Sequence, residues 1–256
     1  MPTTEDLADD LARAVGGSQI SAVFQPQVSL ESGSVVAAEA LCRWSHPRLG
    51  DVDPVTMIAV AERSGVIHAL GRRMLDEGLR RLAEWRGNGR DWAVAVNVSP
   101  LQFEDASFVR DVVAEVTRRG LAPGSLVLEL APHPEPADHD ALLPQLRALG
   151  ECGVEISLAG YGTGSPPLGR LPQMPLAEVK LSGELVRAAD TEGLASLGRE
   201  VDIAHAHGLR VVAEGIETLT HLHVARQLGC DRAQGFLIRE PHSDIAFPSG
   251  APAAAE

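Results

Sequence analysis

At 256 residues and 45% hydrophobic side chains, the chain has the size of one large domain and the material for a sizeable core. A formal net charge of −13 excludes a nucleic-acid backbone or an anionic membrane as a general partner, while leaving room for a small phosphorylated ligand held locally. The three cysteines, Cys42, Cys152 and Cys230, have no metal-ligand spacing and read as reduced, small core residues of a cytoplasmic protein. No apolar run approaches the ~18 residues of a membrane span, and Glu5, Asp9 and Asp10 leave no basic lead for a signal peptide.

Taken in order, Thr4 to Val15 reads as an amphipathic helix within a lead-in of residues 1–18. The body of the domain spans 19–244. Gln19 to Val28 and Val35 to Leu41 read as strands joined through Ser32-Gly33-Ser34, close enough to be antiparallel. After Pro47 and Pro54, helices are predicted over Val55 to Arg63 and Ile67 to Trp85, the second ended by Gly87-Asn88-Gly89. A strand–helix rhythm follows. Strand Trp92 to Val98 leads to helix Ala106 to Arg119, and strand Leu126 to Leu130 to helix Asp138 to Leu149. Strand Val154 to Leu158 leads to a helical piece near Leu168 to Leu171, and strand Glu178 to Leu181 to a helix over about Gly193 to Ala206. Strand Arg210 to Ala213 leads to helix Leu219 to Leu228, before a last strand near Ala233 to Leu237. Alternation of this kind means βα units and a mainly parallel sheet. Eight such strands in this length favour an α/β fold closed as a TIM-like (β/α)8 barrel with one antiparallel strand. Residues 245–256, rich in Pro, Ala and Gly, read as a disordered tail.

In such a barrel the residues at the C-terminal strand ends converge on one mouth. Here they are Glu39, Arg43, Asn97, Glu129, Lys180, Glu214, Glu217 and Gln234, with Lys180 the sole lysine of the chain. Hard oxygen donors of this kind suit Mg²⁺ or Mn²⁺. Taken singly, each has an ordinary structural explanation: Glu39 as a turn cap, Asn97 as an N-cap for the helix start at Ser99-Pro100, Glu129 as a partner for an arginine. Repetition of the same strand-end register is what singles out the set. Against it stands Glu155 to Gly164, a buried strand running into the glycine turn Ala159-Gly160-Tyr161-Gly162-Thr163-Gly164. That turn sits at the same rim and carries no carboxylate, His or Lys.

Phe24-Gln25-Pro26, Glu39-Ala40-Leu41, Arg43-Trp44, His46-Pro47, Val96-Asn97-Val98-Ser99, Leu128-Glu129-Leu130, Ala213-Glu214-Gly215-Ile216-Glu217 and Gln234-Gly235-Phe236 resemble, in order, the motif series of the EAL domain family. The resemblance runs from about Ile20 to Pro241. It implies a TIM-like barrel and a two-metal phosphodiesterase that linearises cyclic di-GMP to pGpG. Carried over by position, it implies Glu39, Asn97 and Glu129 as ligands of the first metal. Glu214 would be a ligand or general-base carboxylate, and Lys180 would position the attacking water. Gln25, Leu41, Arg43, Gln234 and Phe236 would belong to the ligand site, with Arg43 on a phosphate and Glu217 supporting the adjacent loop. For Phe236, stacking near a guanine and ordinary core packing are equally compatible with the sequence.

The resemblance fails at one sub-site. The family's Asp-Asp-Phe-Gly-Thr-Gly reads Ala159-Gly160-Tyr161-Gly162-Thr163-Gly164, which removes the metal-bridging aspartate and its neighbour. Lys-Ile-Asp reads Lys180-Leu181-Ser182, a loop-anchoring glutamate falls at Pro132, and Tyr-Ser-Ser reads Ser165-Pro166-Pro167. The expectation is therefore a degenerate EAL domain protein without phosphodiesterase turnover, with at most a single weak Mg or Mn site on Glu39, Asn97 and Glu129. Three readings follow: a receptor for cyclic di-GMP, a ligand-free interaction scaffold acting through a homodimer or a signalling partner, and a weakly active phosphodiesterase.

Overall fold

The computed structural model describes residues 4–130, 139–161, 174–188 and 191–243. Eight strands close a barrel: β1 (Ile20–Ser29), β2 (Val35–His46), β4 (Ala93–Val98), β5 (Leu126–Leu130), β6 (Glu155–Tyr161), β7 (Glu178–Leu181), β8 (Arg210–Ala213) and β9 (Arg232–Gln234). Strand β1 runs antiparallel to both its neighbours, β2 and β9, and every other pairing of the ring is parallel. The barrel and its antiparallel member thus agree with the expectation from the sequence. Strand β2 is longer than expected. It leaves the ring at its far end and pairs there with a short strand, β3 (Gly50–Val52), which the sequence does not mark.

The outward faces of the strands are apolar and covered by helices. Val94, Val96, Leu126, Leu128 and Ile156 pack with buried side chains of α3 (Ile67–Gly87), α4 (Phe108–Arg119) and α5 (His139–Glu151). Val179, Leu181, Val211 and Ala213 pack with Val186 of α6 (Gly183–Ala188), Leu197 and Val201 of α7 (Thr191–Ala206) and Ala225 of α8 (Leu219–Gln227). Helix α6 was not expected, and the segment Pro100–Glu104 is a 3-10 turn, so α4 begins at Phe108 rather than Ala106. The first helix, α1 (Thr4–Ala14), buries Leu7, Leu11 and Ala14 against Ile20, Trp44 and α2 (Pro54–Ser64). It is pinned by Asp10, whose Oδ2 lies 2.9 Å from His46 Nε2 at the end of β2. Of the three free cysteines only Cys230 is buried, whereas Cys42 and Cys152 are partly exposed.

Inside the ring the chemistry is polar. Glu155, Glu178, Arg210 and Arg232 are the first residues of β6 to β9 and close the N-terminal end. Glu178 accepts from Ser157 Oγ at 3.0 Å and pairs with Arg232 at 3.1 Å and Arg210 at 3.3 Å, while Arg210 also pairs with Glu155. With that end sealed by ion pairs, the opposite end is the one left for a ligand. The expected helical piece at Leu168 to Leu171 and the expected tail lie outside the described residues. No helix among the described residues is long and apolar enough to cross a membrane.

Candidate functional site

The centre of the mouth is the ammonium of Lys180, which is fully buried. Lys180 lies on β7 in register with Val212 of β8, with its side chain inside the ring. Its Nζ donates to Glu39 Oε2 and Glu129 Oε2, each at 2.8 Å, and lies 3.0 Å from Glu214 Oε1. Three strands, β2, β5 and the end of β8, thereby deliver one carboxylate each to one cation. Period-two alternation makes this possible, because Glu39, Glu129 and Lys180 all fall on the inward parity of their strands.

Around the carboxylates lies a chain of amides. Gln234 Nε2 donates to Glu39 Oε2 at 2.7 Å and to Gln25 Oε1 at 3.0 Å, and Gln27 Nε2 donates to Gln234 Oε1 at 3.1 Å. Gln25 Nε2 reaches the Arg239 carbonyl at 3.1 Å. Gln27 was missed from the sequence. Its signal was the alternation Gln25-Pro26-Gln27, which puts both amides on the same face of β1. Asn97 Nδ2 donates to Glu39 Oε1 at 2.6 Å, so Asn97 belongs to the site and is not a helix cap. The cap is Ser99, whose hydroxyl accepts from Leu101 N while Gln102 returns a bond to Ser99 N.

The electrostatics follow from burial and from Lys180. Burial favours the neutral form of Glu39, but the Lys180 charge and the bonds from Lys180, Asn97 and Gln234 outweigh it and hold its carboxyl below the usual range. Glu129 goes the other way. Burial and the neighbouring Glu39 charge push it well above the usual carboxylate range despite Lys180. Lys180 itself is destabilised by burial, yet the three carboxylates more than compensate and keep it firmly charged.

The other expected residues stand further out. Glu217 and Phe236 are exposed, Phe236 by 59%. Strand β9 ends at Gln234, so Phe236 is past the strand and not core packing. The cause is Gly235: a Cβ there would lie 2.2 Å from Ile216 N and 2.3 Å from Ile216 O, so the chain turns against the β8 loop. Gly235→Ala is expected to destabilise the fold by about 1–3 kcal/mol, measurable by denaturant unfolding, because backbone and not a flexible side chain blocks the added methyl. Leu41 and Arg43 continue β2 beyond Glu39 and are partly buried. The Arg43 guanidinium donates to the Cys42 carbonyl at 2.9 Å. On the facing side, Ala159 and Gly160 form an irregularity between the Leu158 and Tyr161 pairings of β6 with β7, with Gly160 at φ 60°. Tyr161 is buried and donates to Glu200 Oε2 at 2.9 Å. Gly162, Thr163 and Gly164, Pro132 and Ser165 to Pro167 lie outside the described residues.

Among the described residues no group of three or more His, Cys, Asp or Glu is arranged to hold a metal ion. Both oxygens of Glu39 and one of Glu129 are already engaged. One donor is spare: Glu129 Oε1 is buried with no hydrogen-bond partner, an arrangement that leaves a costly polar atom for a cation or water to satisfy. That oxygen is a single spare donor beside Lys180, and the mouth end of β6 carries Ala159 and Gly160 in place of a carboxylate.

The chain matches the EAL domain over residues 8–241. It is 35% identical over 238 residues to the bifunctional diguanylate cyclase/cyclic di-GMP phosphodiesterase MucR of Pseudomonas aeruginosa, covering 92% of this chain and 35% of that protein. It is 33% identical over 235 residues to the oxygen sensor protein DosP of Escherichia coli, covering 90% of this chain and 29% of that one. The chain thus spans about a third of the length of these curated relatives. A solved structure of the PaMucR phosphodiesterase in complex with c-di-GMP matches with a TM-score of 0.85 and 35% identity, covering 92% of this chain and 97% of that one. With the motif series, the barrel and the carboxylate–lysine centre in agreement, the chain belongs to the EAL domain family.

Proposed function

We propose that the protein acts in cyclic di-GMP signalling as a receptor that binds the dinucleotide without hydrolysing it. Relatives named as cyclic di-GMP phosphodiesterases, and a similar structure that holds c-di-GMP, support the ligand class. Ala159 and Gly160 at the rim support the absence of turnover, since neither side chain can bridge two metal ions. A single Mg²⁺ or Mn²⁺ on Glu39, Asn97 and Glu129 is compatible with the spare Glu129 oxygen, and such an ion would offset ligand charge at the mouth.

The observation that carries the receptor over an interaction scaffold is Arg43. It sits on the strand that holds Glu39, partly buried, and makes no ion pair among the described residues. A guanidinium kept off the neighbouring carboxylates is free to take a phosphate through two parallel hydrogen bonds. The raised affinity of Glu129 for a proton and the neutralising contacts of Lys180 lower the negative potential that a dianionic ligand would meet. Calorimetric titration with cyclic di-GMP, with and without EDTA, tests the reading. Arg43→Glu is expected to weaken binding at least tenfold, the loss of a charge-assisted contact plus new repulsion. Absence of binding by the unaltered protein, or equal binding by the variant, would overturn the receptor reading in favour of a scaffold. Equal affinity with and without EDTA would remove the single metal ion.

A further inference from the structure

Cyclic di-GMP carries two phosphates, and one arginine accounts for one of them. Lys180 does not supply the second charge, because it is fully buried and its three ion-pair contacts are all carboxylates. Across the ring from Arg43 stands Arg187. Strand β2, which carries Arg43, is separated from β7 by β4, β5 and β6 in one direction and by β1, β9 and β8 in the other, so the two are diametrically opposed. Arg187 lies on α6, which follows β7, and its guanidinium reaches the loop that leaves β8.

The guanidinium is seated and not merely exposed. A Cβ built on Gly183 would lie 2.9 Å from Arg187 Nη1, and a Cβ built on Gly215 would lie 2.9 Å from the same atom. The two glycine backbones also approach each other closely, with the Gly183 Cα 2.9 Å from a Cβ built on Gly215. Gly183 and Gly215 together therefore leave a notch that only hydrogen side chains permit, and Arg187 fills it. Gly215 is the residue after Glu214, so the notch borders the carboxylate–lysine centre. Among the described residues the guanidinium has one acidic neighbour, Glu217, at 3.8 Å, too far for a hydrogen bond, and it is 41% exposed. A loosely paired, partly exposed, sterically seated arginine can exchange its carboxylate for a ligand oxyanion at little cost.

We infer that Arg187 is a second phosphate-binding residue of the mouth, supplying on the β6–β8 side the positive charge for which Ala159 and Gly160 recruit no metal ion. The cyclic dinucleotide is then held across the barrel between two guanidinium groups, Arg43 on one phosphate and Arg187 on the other. This rests on the receptor reading above, and the experiment separates the two.

Titration calorimetry with cyclic di-GMP, on the full chain in one Mg²⁺ buffer, compares the unaltered protein with Arg187→Gln and Arg187→Lys. Arg187→Gln is expected to weaken binding about tenfold or more, to flatten its dependence on ionic strength, and to leave the thermal transition close to its original position. Arg187→Lys is expected to recover part of the loss, keeping charge without the planar fork. The Arg187→Gln loss is expected to persist in a Glu217→Gln background. No binding by the unaltered protein removes the receptor reading and this inference with it. Binding by the unaltered protein with equal affinity in Arg187→Gln overturns this inference alone. So does a loss that vanishes in the Glu217→Gln background, which would mean that Arg187 acts only by holding Glu217.

Discussion

Lys180→Met is expected to destabilise the protein by about 3–5 kcal/mol at neutral pH, the cost of removing one partner from a buried ion cluster. The replacement has similar length and no charge, so packing changes little while Glu39, Glu129 and Glu214 lose their common cation. Both Glu39 and Glu129 are buried, and neither can turn to bulk water for relief. Amide donors from Asn97 and Gln234 remain on Glu39, but among the described residues no other donor replaces Lys180 on Glu129. The same loss opens the space among the carboxylates, so Mg²⁺ or Mn²⁺ is expected to raise the melting temperature of the variant more than that of the unaltered protein. Mass action then makes the rescue depend on ion concentration. Thermal unfolding with and without divalent ions checks both halves. A variant that melts with the unaltered protein in EDTA would show that the Lys180 contacts contribute no net stability.

That centre was legible in the sequence to an unusual depth, for a physical reason. Inward parity on a strand and position at its C-terminal end together fix where a side chain goes in a barrel, without knowledge of the helices outside. Glu129, Lys180 and Gln234 obey both rules, Glu39 obeys them for the part of β2 that pairs with β4, and the four meet inside the ring. Asn97 obeys them too, but its proximity to Ser99-Pro100 offered a competing local use, and only the contact with Glu39 decides between them. Phe236 was ambiguous because the turn that exposes it is set by Gly235 against Ile216, a contact between separate loops. Arg187 was invisible for the same kind of reason: the notch that seats it is made by two glycines 32 positions apart, and neither glycine is unusual by itself. The length of β2 escaped because its last residues, Trp44 to His46, pair with β3, whose three residues, Gly50–Val52, are too few to mark a strand by themselves. Helix α6, of 6 residues, is too short to show a helical period of its own.

Purified protein supplied with Mg²⁺ or Mn²⁺ is expected to convert cyclic di-GMP to pGpG no faster than a control without enzyme. In-line displacement at a phosphodiester by two metal ions needs both, one on the nucleophile and one on the leaving oxygen, about 3.5–4 Å apart. On β6 the two positions at the mouth are Ala159 and Gly160, and the carboxylates Glu39, Glu129 and Glu214 are already bound to Lys180. Steady turnover near ~1 s⁻¹, an ordinary enzyme rate, would overturn the expectation. The converse experiment is sharper. Ala159→Asp with Gly160→Asp puts two carboxylates back at the rim and is expected to create a Mn²⁺ site detectable by calorimetry. The backbone favours the attempt at 159 and resists it at 160, where φ is 60°. Asp is among the few residues that enter this left-handed region, at a cost of roughly 1–2 kcal/mol. A modest fall in melting temperature without metal, reversed by Mn²⁺, is therefore the expected signature. Phosphodiesterase activity is expected to return only in part, because Ser182 still stands where the family pattern has an aspartate. If the double variant gains no Mn²⁺ site, the departure from a metal-binding mouth extends beyond the end of β6 to the Lys180-bridged carboxylates themselves.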